Sequence, residues 1–427
     1  MPPRALAPML ILTTLLAAQA AQAANNYPVV LVHGFLGFGP DKFKESGFKY
    51  WGGFNDIAAH MRAFGGAHQV VVAGVGPVSS NWDRAAELYY QIKGGCVDYG
   101  SRHSARYAEY GALQQPPGKC WAADPADNPQ HYPLALYPAW DERHPIHLVG
   151  HSQGGPTIRA LVELLENGSP DGDEGGGDLY RGGKIGWVRS VTSIASPHNG
   201  TTLRDAVLDF MPRLSVWAGE IALLAGGGAS DIRNAGLEHF GSGDKFWQTA
   251  NHDSAQWELG PDGARAFNAW VKTSPHVYYY SIGTSATEAG SACCRIGDRT
   301  DRFLAPRQKP AYQYPRGDMT IFLKATAGEW VLPSLGQHGM GAYTQAAPGR
   351  VPVDASWFRN DGVVNTVSMK APAGHKVRDY DGHSQPGYWN YIQTYRAYDH
   401  FDIIGWPNAG PSAYPVYDKI ATIIFGL

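Results

Sequence analysis

The most informative part of the sequence for the fold class is Ile146-His147-Leu148-Val149-Gly150-His151-Ser152-Gln153-Gly154. It is a short apolar run that ends in a G-x-S-x-G motif, and a helical pattern over residues 157–165 follows it. Strand, tight turn and helix in this order are typical of a nucleophile elbow, in which small flanking residues allow a serine hydroxyl to stand above a sheet. Because the motif alone is common, its context decides. The context favours a displayed Ser152 over a glycine-rich turn with an idle serine.

Further apolar runs with the length and composition of buried strands lie on both sides of this motif. They cover residues 27–32, 70–73, 188–194 and 277–282. Strands that alternate with helical patterns predict an α/β fold with a mostly parallel central sheet and helices on both of its faces. The sequence contains no internal repeat and no clear domain linker.

The charge balance and the beginning of the chain bear on partners and location. Charged residues make up only 17% of the 427 residues, and the formal net charge is −3, which argues against binding nucleic acid through counterion release. Arg4, an apolar run over residues 9–18 and the triplet Ala21-Gln22-Ala23 predict a signal peptide over residues 1–23. The run is shorter than the ~20 residues needed to span a bilayer, and no later segment is suited to do so. We therefore expect a secreted protein, extracellular or periplasmic, without a transmembrane segment.

The four cysteines gain interest from this expected export. Four cysteines allow three pairings, which sequence alone does not decide. Cys96 and Cys120 bracket a stretch rich in glycine and proline, and we expect a disulfide between them. Cys293 and Cys294 are adjacent, so a bridge between them would be strained, and their pairing is left open. No C-x-x-C spacing is present, which argues against a four-sulfur metal site.

A serine nucleophile needs a base, and in this fold the partners follow in the order Ser, Asp or Glu, then His. Asp361 lies in a turn before an apolar run, and His400 lies near the C-terminus. Other acidic and histidine residues, including Asp381 and His383, remain candidates from the residues alone.

The chain resembles the bacterial lipase family I.5, the zinc-containing thermoalkalophilic lipases of the α/β-hydrolase superfamily. The resemblance rests on long matching segments that occur in the same order over most of the chain. These are His33-Gly34-Phe35-Leu36-Gly37-Phe38-Gly39, Phe48-Lys49-Tyr50-Trp51-Gly52-Gly53, Gly76-Pro77-Val78-Ser79-Ser80-Asn81-Trp82-Asp83-Arg84, Val97-Asp98-Tyr99-Gly100, His151-Ser152-Gln153-Gly154-Gly155, Leu165-Glu166-Asn167-Gly168-Ser169, Pro197-His198-Asn199-Gly200-Thr201-Thr202-Leu203, Asn360-Asp361-Gly362-Val363-Val364-Asn365-Thr366-Val367-Ser368-Met369 and the segment around His400.

This resemblance implies a catalytic triad and an oxyanion hole. Ser152 would be the nucleophile, His400 the general base and acid, and Asp361 the residue that orients the imidazole. The backbone N–H groups of Phe35 and Gln153 would stabilise the oxyanion. The resemblance thus selects Asp361 and His400 from a larger set of candidates.

The resemblance also implies a structural zinc ion that clasps an inserted subdomain to the core. Asp83, His103 and Asp253 match three of the four ligands. The fourth is not matched, since an ungapped count from His103 reaches Glu109, and an insertion that contains His131 follows; either residue is a candidate. Zinc accepts such mixed nitrogen and oxygen ligands. The alternative is that the disulfide replaces part of the clasp and that no metal binds.

A calcium site is a weaker implication of the resemblance. Asp402 matches a ligand carboxylate, and Asp318 falls where a carbonyl ligand is expected. Pro407 stands where the family has a ligand Asp, which removes a charge from a hard-cation site. We expect weaker calcium binding, or none.

Residues 206–225 are apolar on many sides, which is typical either of a buried helix or of a lid over an active site. The resemblance and the glycines at 226–228 favour the lid.

We expect one catalytic domain over residues 24–427 with insertions at about 83–135 and 204–260. Its expected activity is hydrolysis of hydrophobic esters at an interface, with triacylglycerols as the first substrate class and polyesters as the second. The rival interpretation is a non-catalytic relative that binds lipid or another surface.

Overall fold

The computed structural model describes residues 25–66, 68–173, 178–206, 245–289, 312–328, 330–332, 337–406 and 410–427. The strands in chain order are β1 (Val29–Val32), β2 (Val70–Ala73), β3 (Gly95–Cys96), β4 (Cys120–Trp121), β5 (Ile146–His151), β6 (Val188–Ile194), β7 (Tyr278–Ser285), β8 (Thr287–Ala289), β9 (Gln313–Pro315), β10 (Trp330–Leu332), β11 (Gln337–His338), β12 (Val377–Asp379) and β13 (Trp389–Arg396). The α-helices are α1 (Ile57–Ala63), α2 (Asn81–Lys93), α3 (Ser101–Tyr107), α4 (Gly154–Asn167), α5 (Leu203–Ala206), α6 (Ala255–Glu258), α7 (Pro261–Trp270), α8 (Ile321–Ala327) and α9 (Tyr414–Phe425).

The central sheet has seven strands in the order β12-β13-β7-β6-β5-β1-β2, and every neighbouring pair is parallel. Three antiparallel pairs, β3–β4, β8–β9 and β10–β11, lie outside this sheet. Parallel strands place their carboxyl ends at one edge, where loops of an open α/β sheet build a site. No helix in the described ranges is long and apolar enough to cross a membrane.

Helices cover both faces of the sheet, because the side chains of its strands alternate between two hydrophobic cores. On β1, Val29 and Leu31 contact the core that includes α1 and α9. Val30 and Val32 contact the core that includes α2, α4 and α7. A strand buried on both faces is a continuous apolar run in the sequence, and this explains why β1 and β5 are predictable from it.

The predicted α/β fold, with a mostly parallel sheet and helices on both faces, is confirmed. The five apolar runs form β1, β2, β5, β6 and β7. The strands β12 and β13 are not predictable from apolar runs, because β13 mixes polar and aromatic residues and is only partly buried. The lid predicted at residues 206–225 lies outside the described residues except for Ala206, as do residues 1–23 and the pair Cys293 and Cys294. The division into one domain with two insertions stays a prediction.

Candidate active site

The turn between β5 and α4 holds Ser152 in a strained backbone conformation. Its φ of 56° lies in the left-handed region, which non-glycine residues rarely adopt. A Cβ atom on Gly154 would lie 2.3 Å from the carbonyl oxygen of Val32, and one on Gly150 would lie 2.4 Å from the backbone of Gly154. One on Gly34 would lie 2.5 Å from Ser152 Cβ. The G-x-S-x-G pattern therefore has a direct steric cause, as the motif predicts.

Asp361 and His400 form a buried pair at the same end of the sheet. The His400 Nδ1 atom lies 2.8 Å from Asp361 Oδ2, and the two side chains are almost completely inaccessible to solvent. Thr284 Oγ1 donates to the same oxygen at 2.7 Å, while the amides of Val363 and Val364 donate to Oδ1 at 3.0 and 2.8 Å. A carboxylate that already accepts three hydrogen bonds accepts a fourth from Nδ1–H. With the hydrogen on Nδ1, the lone pair of His400 Nε2 is able to accept a proton.

The structure brings this pair next to the serine turn. The ring of His151, the residue before Ser152, lies 4.5 Å from the ring of His400 between centroids. Ser152 opens into a mostly apolar depression, which we call the Ser152 cleft. It is lined by Phe35, Ser152, Pro197, Thr201, Leu203, Arg204, Ala255, Gln256, Leu259, Val363 and Val364. The roles assigned to the three side chains stay predictions that this arrangement supports.

The two residues predicted for the oxyanion hole flank the serine. Gln153 follows Ser152 directly at the N-terminus of α4, where a helix presents backbone N–H groups. Its side chain is held by a hydrogen bond from Nε2 to the carbonyl of Ser79 at 2.9 Å. Phe35 lies in the loop after β1 and lines the Ser152 cleft together with the serine.

The loop after β1, which carries Phe35, is held by Arg84, a buried residue for which the sequence predicts no role. Arg84 is fully buried and donates from its two Nη atoms to the carbonyls of Gly76 and His33, each at 2.5 Å, and from Nε to Thr157 Oγ1 at 2.8 Å. Burial lowers the pKa of Arg84 to about 10, so the guanidinium stays charged near neutral pH. The only sequence signal was that Arg84 falls within a matched family segment.

Asp83, His103 and Asp253 converge on a second site beside α2. Within the described ranges they are the only group of three possible metal ligands, and their ligand atoms lie within 4.8 Å of one another. His103 Nε2 lies 3.4 Å from Asp83 Oδ1 and 3.1 Å from Asp253 Oδ1. None of these three buried atoms has a hydrogen-bond partner of acceptable geometry among the residues described. The indole of Trp82 stacks on the imidazole at 4.7 Å.

Burial and nearby charges shift the pKa values in and around this cluster. Burial and the charge of Asp253 raise the pKa of Asp83 to about 7. Burial opposes the charged form of His103, but the two carboxylates raise its pKa to about 10. Burial raises the pKa of nearby Glu258 to about 8. Two carboxylates and one imidazole, each with a buried ligand atom close to the other two, fit a divalent cation such as zinc.

Neither candidate for a fourth ligand lies in this cluster. Glu109 is exposed on the short 3₁₀ turn Ala108–Tyr110, and His131 is exposed in a loop with a left-handed backbone. Within the described ranges neither places an atom among the ligand atoms of the cluster. Both side chains are exposed to solvent.

The two calcium candidates have partners of their own. Asp318 pairs with Arg316 through two contacts of 3.1 Å. Asp402 is buried and accepts a hydrogen bond from the amide of Asp399 at 2.8 Å. They do not belong to a group of three possible ligands in the part of the chain that the structure describes. Pro407 lies outside that part.

A disulfide links Cys96 and Cys120, which face each other in the β3–β4 pair. The two half-cystines are 24 positions apart, and the segment between them contains His103. The expected bridge is therefore present in the structure.

The parallel sheet and the elbow at its centre define an α/β-hydrolase fold. Residues 25–304 match the family model described as "Lipase-like, C-terminal domain", and the chain belongs to this family. The resemblance to bacterial lipase family I.5 is thereby confirmed. The chain is 30% identical to a lipase of Staphylococcus epidermidis over 414 residues, which are 91% of this chain and 51% of that protein. It is 30% identical to lipase 2 of Staphylococcus aureus over 419 residues, covering 91% and 52%. The chain thus spans about half the length of these relatives.

The fold is similar to those of solved structures that are named as lipases or as EstA. EstA from Clostridium botulinum superposes with a TM-score of 0.75 and 31% identity, covering 96% of this chain and 90% of that one. Lipase 1 from Pelosinus fermentans gives a TM-score of 0.72 and 33% identity, covering 94% and 99%. Staphylococcus hyicus lipase gives 0.68 and 25% identity, covering 95% and 96%.

Proposed function

We propose that this protein is a serine ester hydrolase that cleaves hydrophobic carboxylic esters through an acyl-enzyme. The observation that carries the proposal is the buried His400–Asp361 pair beside the strained turn of Ser152. Long-chain triacylglycerols are the first substrate class, in line with the lipase names of the relatives.

The proposed reaction uses the groups in the following way. His400 Nε2 takes the hydroxyl proton of Ser152 as Oγ attacks the ester carbonyl, and Asp361 stabilises the imidazolium that forms. The N–H groups of Phe35 and Gln153 stabilise the negative charge on the carbonyl oxygen. The alkoxide then leaves as an alcohol with the proton from His400. Water, deprotonated by His400, hydrolyses the acyl-serine and releases the acid.

The lining of the Ser152 cleft supports a hydrophobic acyl or alcohol group. Leu203, Leu259, Val363 and Val364 are among its apolar lining residues. The same lining would suit a segment of polyester chain, so polyesters are the second substrate class. An emulsion and a film, tested side by side, separate the two.

We also propose that zinc binds at Asp83, His103 and Asp253 as a structural ion. The support is the set of three buried, unsatisfied ligand atoms described above. The ion would join α2, which carries Asp83, to the disulfide-closed loop and to the segment before α6. In this role the metal supplies charge balance and cross-linking. Calcium binding at Asp318 and Asp402 stays a prediction with less support, since both carboxylates have internal partners.

We propose that the protein is exported and that residues 1–23 are removed, which leaves one catalytic domain over residues 24–427. N-terminal sequencing of protein recovered from the medium or periplasm would start at Ala24 if this is correct.

The function is tested with p-nitrophenyl esters of short and long acids, a triacylglycerol emulsion and a polyester film. The wild type is compared with Ser152→Ala and with a control, Ser101→Ala, at an exposed position. We expect Ser152→Ala to lose activity by a factor of about 10⁵ or more, and the control to match the wild type. A wild type that binds an emulsion without cleaving any ester supports the non-catalytic alternative. Full activity in Ser152→Ala would refute the proposal.

A further inference from the structure

We infer that the hydroxyl of Tyr50 is a positioning group that ties the oxyanion loop to the nucleophile turn. The inference rests on the proposed function and names a residue beyond the triad and the oxyanion donors. Tyr50 lies on a segment between β1 and α1 and is 101 positions away from His151, which it contacts.

The contacts of this hydroxyl are short and buried. The amide of Gly34 donates to Tyr50 Oη at 2.8 Å, and Tyr50 Oη lies 2.6 Å from His151 Nδ1. The side chains of Tyr50 and His151 are 4% and 0% exposed, so water does not substitute for either bond. Gly34 is the residue before Phe35, and His151 is the residue before Ser152.

The hydrogen positions follow from the number of donors. An amide N–H only donates, so Tyr50 Oη accepts from Gly34 and its single hydrogen points to His151 Nδ1. Nδ1 is then an acceptor, and the ring hydrogen is on Nε2. Burial lowers the pKa of His151 well below its usual range and raises the pKa of Tyr50, so both groups stay neutral. This neutral arrangement gives Gly34 N, Tyr50 Oη and His151 Nδ1 a consistent set of donors and acceptors.

The peptide units around Gly34 are held at both ends. The His33–Gly34 unit has its carbonyl bound by Arg84 at 2.5 Å and its N–H bound by Tyr50. The next unit has the Gly34 carbonyl 2.8 Å from His33 Nδ1. His33 Nε2 accepts from the amide of Val75 at 3.1 Å, so Nδ1 carries the hydrogen and donates to that carbonyl.

This clamp fixes the direction of the Phe35 N–H. In a trans peptide unit the C=O and the N–H point in opposite directions. Because the carbonyl of Gly34 is bound by His33, the N–H of Phe35 points the other way. Removing the Tyr50 hydroxyl would free one end of the preceding unit and also release His151. The hydrogen-bonded connection between the loop of the Phe35 N–H and the turn of Ser152 would then be lost.

The test compares Tyr50→Phe with Tyr279→Phe. Tyr279 is a matched control because it is fully buried and its hydroxyl likewise accepts a backbone amide, that of Ser274 at 3.2 Å, away from the site. We expect Tyr50→Phe to lower kcat for p-nitrophenyl butyrate about 10- to 100-fold, less than the loss of an oxyanion donor, with KM within about twofold. Inactivation by diethyl p-nitrophenyl phosphate, which forms a similar oxyanion on the serine, should slow by a similar factor. Tyr279→Phe should leave both rates unchanged.

Two results for Tyr50→Phe would overturn the inference. One is a folded Tyr50→Phe with the kinetics of Tyr279→Phe, and the other is an effect confined to KM. A second pair keeps the test decisive if Tyr50→Phe does not fold. His151→Asn offers an acceptor near the position of Nδ1, whereas His151→Leu offers none, so the Asn variant should retain more of kcat. Equal kcat values in this pair would also contradict the inference. A wild type without esterase activity would instead refute the proposed function.

Discussion

Asp361 illustrates how much of the site depends on the saturation of one carboxylate. It is completely buried, and each of its two oxygens accepts two hydrogen bonds. The four donors belong to four different residues. All four partners are donors, so a carboxamide, which has a donor NH₂ group in place of one oxygen, does not fit. The same contacts that hold the side chain in one rotamer select the tautomer of His400.

This saturation predicts the result of Asp361→Asn. The amide has one oxygen and one NH₂ group, so in the present arrangement its NH₂ group would face donors. The Nδ1–H tautomer of His400 would then no longer be favoured. We expect kcat to fall by about 10⁴ while the protein stays folded, as seen by circular dichroism. Asp379→Asn, at a position that is 80% exposed, is the control and should be silent. Activity within tenfold of the wild type would contradict the role of Asp361.

At the scale of elements, the β5–α4 turn is packed directly against the end of β1. The backbone of Gly154 contacts the carbonyl of Val32 so closely that no side chain fits between strand and helix. The tight turn of Ser152 therefore depends on the distance between two strands as well as on its own sequence.

We expect Gly154→Ala to be strongly destabilising. Its methyl group would force β1 and α4 apart, at the upper end of the roughly 1–3 kcal/mol that overpacking costs, or beyond. Gly317→Ala is the control, since a Cβ there meets no atom within 4 Å. Urea unfolding monitored by tryptophan fluorescence measures both. Equal midpoints for the two variants would show that the turn can relax.

Two buried histidines, His147 on β5 and His33 directly after β1, are kept neutral by folding. His147 on β5 lies 2.7 Å from Ser190 Oγ and 2.9 Å from Asn25 Oδ1, and burial followed by the charge of Arg189 lowers its pKa to about 3. Burial followed by the charge of Arg84 lowers the pKa of His33 to about 3 as well. Each histidine binds a proton below pH 6.5 in the unfolded chain but only near pH 3 in the folded one.

Their contribution to stability is therefore complete above pH 6.5 and is lost as the pH falls toward 3. Between pH 7 and 4.5 we expect a loss of roughly 2–3 kcal/mol per histidine in the free energy of unfolding of metal-free protein. Urea unfolding at the two pH values tests this. His147→Gln should reduce the loss by one histidine's share, and an unchanged pH dependence would be inconsistent with a neutral, buried His147.

The parts of the fold that are predictable from the sequence are those in which a local pattern of residues reflects a contact of the folded chain. Continuous apolar runs revealed the doubly buried strands, and small residues around Ser152 revealed the elbow. It did not separate Asp361 and His400 from Asp381 and His383, because burial is a property of the folded chain; His383 is 89% exposed. Only family resemblance made that choice. Tyr50 was invisible in its role because its partner is 101 positions away.

At the scale of the whole molecule, the Asp83–His103–Asp253 cluster connects parts of the chain that are far apart in sequence. Asp83 is on α2, His103 on α3 within the disulfide-closed loop, and Asp253 precedes α6. A cation there would stabilise the folded chain by mass action, since the unfolded chain does not hold the three ligands together.

We expect purified protein to contain about one zinc ion per chain. Chelation should lower the free energy of unfolding by at least roughly 2 kcal/mol, and added zinc should restore it. His103→Ala should contain no zinc and should not respond to chelator. Glu109→Gln and His131→Gln serve as exposed controls and should keep the metal. Elemental analysis and thermal melts measure these effects, and metal-free wild type purified without chelator would refute the zinc site.

The Cys96–Cys120 bridge places His103 inside a covalent ring, and this has a consequence for how the protein matures. Closing the ring limits the space that His103 explores before the core is complete, so the bridge raises the effective concentration of one metal ligand near the other two. Oxidation should then precede metal capture. In a reducing cytoplasm the chain would fold without the Cys96–Cys120 disulfide and would bind zinc later and less completely. In an oxidising compartment the disulfide would form first and zinc would bind afterwards.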